Sequence, residues 1–372
     1  SSLLRMMLPG FIFVILSLKH HILSILGEHE MVVSLTDTKR AAIAEKLASM
    51  KEIQRLIIDN EQNFVRECPD PKLRDRLEDM LEDDQKNLGV IETTITQYGV
   101  RNDPKETVQK MVERAQEMMH SSHLSLYEKV AQHELLKHGQ VMSGLVVHQA
   151  AKVVGKDVEA AIAPLNTVNF ENRAHQEQLK GMLEYLGTRE LTGEEPDQSV
   201  WGRVQDAVAA LSGVLGGAVT QTSDKSDLSI MDIIFMDHQK TKTLISEIRN
   251  TDDPNKIQEY FGQLYKDLIV HSKAEEQVVY PAVRSFYGER DTQELYDEQA
   301  ELEQVLKQTR NMQPGSSEFC ENIKTIKHMV GDHTRQEEST MFAAIRKNCS
   351  KEQQERLATQ FKEVKKQLQN QM

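Results

Sequence analysis

The sequence predicts an all-α fold, two up-down four-helix bundles in tandem, on three observations. Apolar residues recur at the helical period in long segments that stop at proline and glycine. The composition suits helices: 28% of the 372 residues are charged, 5% are aromatic, and alternating β-branched runs are scarce. In the last third of the chain, histidine and glutamate stand on stripe positions that otherwise face a core.

Residues 1–34 form an apolar extension. Its run Leu8–Leu18 is broken by Pro9 and Gly10 and is shorter than the ~20 residues a spanning helix needs. A membrane-touching anchor and a cleaved segment are two readings. A start at Met31 is favoured, because a normal helical pattern begins directly afterwards at TDTKRAAIAEKL.

The first bundle is expected over 35–190. Its helices cover 36–67, ending at Cys68-Pro69-Asp70-Pro71; 71–98, ending at Gly99; a short one near 104–119; 122–154, ending at Gly155; and 157–186, ending at Gly187. Their stripes carry polar groups inward: Glu61 after Ile57, Asp84 between Leu81 and Leu88, Glu134 with His138, and Glu171 with His175. A hydrogen-bonded layer without metal is the favoured reading of these groups, since Gln, Asp and His can satisfy one another. His120, His123, His133 and His148 look scattered, on the surface or satisfied locally.

A junction follows over 191–228. Val200, Val204, Ala207, Leu211, Val214 and Leu215 make an amphipathic helix, read as packing between the bundles rather than on a membrane, because its polar face lacks basic residues. Gly216-Gly217 and the polar stretch 221–227 read as a linker, with Asp227 or Ser229 capping the next helix.

The second bundle is expected over 229–349, with helices at 229–250, 254–286, 289–311 and 316–347 joined by short loops, which puts neighbours antiparallel. The stripe Leu264, Leu268 continues through His271 and Glu275 to Val278 and Ala282. A second runs Ile323, Ile326, Val330, His333, Glu337, Met341, Ala344, and a third Ile234, His238, Thr241, Ile245. His and Glu four apart lie one above the other on a helix. Burying them needs a compensating group, and imidazole with carboxylate is a ligand set for iron-type metals. The candidate ligands are therefore His238, His271, Glu275, His333 and Glu337. Tyr280, after the second ligand pair, has two readings, an approach to the site and packing, of which packing is favoured because its hydroxyl needs only one partner. Residues 350–372 form a polar helix with Leu357, Phe361, Val364 and Leu368 on one face, expected on the bundle's exterior.

DHQKTKTL, HSKAEEQVVYPAVR and DHTRQEESTMF resemble three of the four elements of the hemerythrin-like HHE family over 229–347. The third element departs: Gln299, on the stripe Leu295, Gln299, Leu302, Leu306, stands where that family would place a histidine, with Glu303 one turn on as a substitute ligand. The resemblance implies non-haem iron, two ions, with the second put in doubt by Gln299. More weakly, QHELLKHGQVMSGLVVHQAAKVVG and LEDDQKNLGVIE resemble ferritin-like bundles of the bacterial stress-protein type, although no Glu-x-x-His survives there.

These readings imply a protein that binds or senses O2, NO or a peroxide-type ligand, with Glu275 and Glu337 able to bridge two metals. An iron-oxidising or peroxide-handling enzyme is the alternative, and a metal-free scaffold the third. No P-loop or dinucleotide turn is visible, which favours binding over turnover. The net charge of −13 speaks against nucleic acid as a partner. Three cysteines without a C-x-x-C fit a reducing cytoplasm. Membrane-peripheral association enters only if residues 1–30 are retained, and a homo-oligomer is compatible with the chain.

Overall fold

In the computed structural model the described residues are 38–197 and 228–372, with Val200 and Val204 between them. The expectations for residues 1–34 and for most of the junction helix and linker lie outside these residues. Val200 and Val204 are both buried, Val200 in the core of the first bundle.

The first bundle consists of α1 (Thr38–Glu67), α2 (Pro71–Tyr98), α4 (Leu126–Val154) and α6 (Leu165–Thr192), with α3 (Glu106–Met119) and α5 (Lys156–Ile162) between them. Local chemistry sets the ends. Asp70 accepts from the Lys72 and Leu73 amides, and Pro71 occupies the first turn of α2, where its missing N–H costs nothing. Ser125 and Glu128 form a reciprocal capping box at the start of α4. The expected helix over 157–186 is instead two, α5 and α6, since Pro164 cannot donate into a continuous helix. Gly187 does not end α6, which runs to Thr192 and closes on Gly193 at φ +77°.

The second bundle contains α7 (Ile230–Arg249), α8 (Pro254–Ala274), α9 (Tyr280–Tyr287), α10 (Glu289–Arg310), α11 (Ser317–Gln336) and α12 (Phe342–Asn348). Ser229, with Asp232, caps α7, so of the two cap candidates Ser229 is the one used. The long second and fourth helices are not regular. Glu275–Val279 and Glu337–Met341 are π-helical turns, each opening on the glutamate of a His-x-x-x-Glu pair. A π-turn inserts one residue into the helical count and is common at functional sites. After Glu275 the buried residues are Val279, Tyr280 and Val283, one position later than the predicted Val278 and Ala282.

Each bundle's core is divided by a polar layer. In the first, Leu47, Met50, Ile91, Ile95 and Val147 lie on one side and Phe64, Leu77, Met80, Leu179 and Met182 on the other. In the second, Leu244, Phe261, Leu264, Leu306 and Ile323 face Ile233, Ile234, Val283, Leu295 and Ile345 across theirs.

The last helix, α13 (Lys351–Gln371), does more than cover the second bundle. Phe361 and Ala358 join its core, while Gln369 donates to Thr96 O at 2.9 Å and Lys362 reaches Thr93 Oγ1 at 3.5 Å, both on α2. Two further cations join the bundles. Lys240 of α7 donates to the carbonyls of Gln97 and Tyr98, at 2.9 and 2.6 Å, and so satisfies the C-terminal end of α2. Arg40, buried in α1, pairs with Asp157 at 2.7 Å and with Glu259 of α8 at 3.4 Å. Gly99 turns at φ +81° beside Asp267 and Lys240, where a side chain would collide with both.

Candidate metal centre

Four helical segments of the second bundle bring His238 (α7), His271 and Glu275 (α8 and its π-turn) and Glu337 (the later π-turn) together. One ligand atom from each lies within 4.8 Å of all the others, and all four residues are buried. His333 stands at the edge of this set, its Nε2 3.4 Å from Glu337 Oε1. Glu303 does not join it. Its carboxylate lies 3.1 Å from Lys273 and 2.6 Å from Lys307, cations that draw it to the surface.

The three imidazoles are oriented alike. Nδ1 of His238 contacts Glu338 at 2.9 Å, Nδ1 of His271 contacts Asp237 at 2.9 Å, and Nδ1 of His333 contacts Glu298 at 2.7 Å. A carboxylate on Nδ1 holds a proton there and turns Nε2 towards the centre, the arrangement that supports metal-bound histidine. Asp237 is held in turn by Lys365 of α13, at 2.6 and 2.7 Å. Burial alone would raise the Asp237 carboxyl, but Lys365 and His271 outweigh it and hold the group well below the usual carboxylate range. Burial would lower His271, yet Glu275 and Asp237 together raise it to about 10. Glu337 is kept ionised against its burial by His333 and His238.

Facing these donors is Tyr280, fully buried, whose hydroxyl lies 2.8 Å from Glu337 Oε1, 3.3 Å from Glu275 Oε2 and 3.4 Å from His333 Nε2. It lies against the candidate ligands, the less favoured of the two readings of this residue. The π-turn rotates it inward, and a uniform 3.6-residue period does not reveal that. Gln299 does point inward and donates to Glu275 Oε2 at 2.7 Å and to the Tyr280 hydroxyl at 2.6 Å. The outer carboxylates Asp237, Glu298 and Glu338 also escaped notice; the one signal for them is that each is next in sequence to an inward-pointing residue.

The donors fit a cation. His238 Nε2, His271 Nε2, Glu275 Oε1, Gln299 Oε1 and Glu337 Oε2 are buried and make no hydrogen bond, although His238 Nε2 lies 3.2 Å from Glu337 Oε2 and His271 Nε2 lies 3.2 Å from Glu275 Oε2. Buried polar atoms are normally satisfied, and five unsatisfied ones in one place are what a metal ion would resolve. Two imidazoles and two carboxylates are a hard-to-intermediate donor set, suited to iron, manganese or zinc rather than to soft metals.

The first bundle's layer is arranged differently. Glu61, Asp84, Glu171 and His175 are buried as expected. On α4, however, the inward pair is His133 and Lys137, while Glu134 and His138 lie nearer solvent and share Gln176, at 3.0 and 3.2 Å. The Lys137 ammonium sits among the other three long helices. It pairs with Asp84, lies 3.1 Å from Glu61 Oε1, and donates to His175 Nδ1 at 2.9 Å. His133, buried rather than at the surface, meets Glu61 at 3.1 Å. Burial and then Asp84 push Glu61 up to about 8, and burial and then Lys137 push His133 down to about 3. For a histidine depressed in the folded state, the stability it contributes is fully present above pH 6.5 and is lost as pH falls towards 3. Replacing His133 with glutamine is therefore expected to flatten that acid limb, read as urea midpoints between pH 7 and pH 4. An unchanged limb would show that His133 is not a source of it.

Comparison with known proteins agrees with this placement. Residues 229–345 match the hemerythrin HHE cation binding domain. An uncharacterized hemerythrin-like protein of Schizosaccharomyces pombe is 26% identical over 140 residues, covering 37% of this chain and 69% of that protein. A protein of Nostoc sp. (strain PCC 7120 / SAG 25.82 / UTEX 2576), named DNA nickase, is 59% identical over 342 residues, 92% of this chain and 97% of the relative. No solved structure matches. The chain therefore belongs to the same family as the Nostoc protein, and its second bundle is a hemerythrin-like HHE cation-binding domain.

Proposed function

We propose that this protein is a non-haem iron protein whose HHE bundle takes up O2, NO or a peroxide-type small ligand. The observation that carries this is the convergence of five unsatisfied buried donor atoms between two hydrophobic half-cores. His238, His271, Glu275 and Glu337 would hold one ion. On the His333 side the carboxylates already have the Tyr280 hydroxyl and the Gln299 amide as partners, so the arrangement favours one firmly held ion over two. Bound iron supplies an open coordination position for a small ligand. The chain does the rest. Glu298, Asp237 and Glu338 orient the imidazoles. The Tyr280 hydroxyl holds a proton beside Glu337, and the apolar halves keep water from the centre.

A second reading is favoured by one specific finding. The 59% identical relative is named for nicking DNA, and the likeness runs almost the whole length of both chains. In this reading the iron centre supports strand nicking, and a DNA strand meets the surface of the protein rather than its buried donors.

Metal analysis and a visible spectrum on protein produced with ample iron test the first reading. About one iron per chain and a spectrum that responds to O2 or NO are expected; protein without iron would sink it. Conversion of supercoiled to open-circular plasmid, with and without chelator, tests the second. Nicking that survives both chelation and Glu337→Ala would separate it from this centre.

A further inference from the structure

Where α13 crosses α2, the seam between the bundles holds two adjoining clefts. One, of about 690 Å3, is lined by Gly99, Arg101, Lys266, Val270, Lys366 and Gln369 among others. The other, of about 320 Å3, is lined by Lys51, Arg101, Lys362 and Lys366 together with Thr96 and Thr359. Arg101 and Lys366 belong to both, so the clefts form one run of five cations. The carboxylates in them are fewer: Asp103, Glu92 and Glu363. Glu92 is already engaged by Arg55 at 3.3 Å.

Burial holds Lys51, Arg101 and Lys362 below their usual values, and Glu92, the carboxylate that acts on all three, does not reverse the effect. The chain as a whole carries a net charge of −13, so this run of cations is opposite in sign to the protein's overall field. The seam is also a fixed surface, because Gln369 and Lys362 tie α13 to α2.

We propose that this seam is an anion-binding groove for the phosphodiester backbone of DNA. The inference rests on the DNA-nicking reading and names where the strand docks. Five cations along two connected clefts exceed what a single phosphate needs, and a polyanion otherwise repelled by the acidic surface is steered to this face. The groove adjoins the metal centre through its walls. Val270 immediately precedes His271, and Lys366 immediately follows Lys365, which ion-pairs Asp237 behind His271. A strand in the seam therefore bears on the two helices that hold and orient His271.

The test is fluorescence anisotropy of a labelled DNA 30-mer, single-stranded and duplex, with the full-length iron-loaded protein at 50–200 mM NaCl. The variant Arg101→Gln/Lys362→Gln/Lys366→Gln is expected to bind at least about tenfold more weakly, and to lower the slope of log affinity against log salt by about 2 to 3, as loss of two to three phosphate contacts requires. Its iron content should be unchanged. Lys152→Gln/Lys327→Gln/Lys347→Gln removes the same charge from exposed positions elsewhere and should retain wild-type binding. Should the seam triple variant fail to fold, the exposed single change Lys366→Glu should still lower the slope by about 1 or more. Equal losses in both triple variants, no loss in the seam variant, or a wild type that binds inorganic polyphosphate but not DNA would each overturn the proposal. Seam-dependent DNA binding in a protein without iron would uphold the groove and sink only the iron reading.

Discussion

Glu337→Ala is expected to weaken metal binding by at least 100-fold. Glu337 is completely buried, and its two oxygens face different sides of the centre. Oε2 lies 3.2 Å from His238 Nε2, and Oε1 lies 2.8 Å from the Tyr280 hydroxyl. No nearby carboxylate takes its place, since Glu338 is committed to His238 Nδ1 and Lys242. Perturbing an outer partner of a ligand costs about 10–100-fold in affinity, and removing a ligand itself should exceed that. Asp237→Asn supplies the internal scale: it leaves the four inner donors in place and should fall within that 10–100-fold range. Both effects are read by titration with ferrous or manganous ion under anaerobic conditions. Equal affinity in wild type and Glu337→Ala would place the ion elsewhere.

The largest expected effect on stability is in the other bundle. Lys137→Met should destabilise the first bundle by about 3–5 kcal/mol, the cost of leaving a buried charge without its partner. Lys137 and Asp84 are fully buried, and the ammonium and His175 are what hold Asp84 ionised against the penalty of burial. The methionine is close to isosteric, so little of the loss can be ascribed to a cavity. Lys137→Met/Asp84→Asn removes both charges and should recover part of the loss. The two are compared by urea unfolding of the full chain. A Lys137→Met protein as stable as wild type would mean that the layer is held by its glutamines and asparagines instead.

The helical character of the chain, the place of each long helix and the inward direction of His238, His271, Glu275, Gln299, His333 and Glu337 were legible in the sequence. An apolar stripe with one polar member states which face that member occupies, whatever the partner helix is. Where a helix carries apolar residues on more than one face, the same argument fails. On α4, Leu135, Met142 and Val146 are exposed, so the stripe that appeared to include Glu134 and His138 competed with the true one through Val130, His133, Lys137 and Val141. Helix ends marked by Asp-Pro were found, whereas the Ser125-x-x-Glu128 box that opens α4 was missed in favour of a start at 122, and Gly187 misled because a glycine inside a packed helix looks the same in sequence as one that ends it.

What the sequence alone determined is which polar side chains face the interior of the second bundle, because the 3.6-residue period is a local property of each helix. What the tertiary structure decided is everything that depends on register between helices. Two π-turns shift the count by one residue and swing Tyr280 into the centre. Lys137 puts a tethered positive charge in the first bundle. The last helix lays Lys365 against Asp237 and a row of cations along the seam. These contacts join residues more than fifty positions apart, and only packing of whole helices, driven by burial of their apolar faces, brings such residues within hydrogen-bond distance.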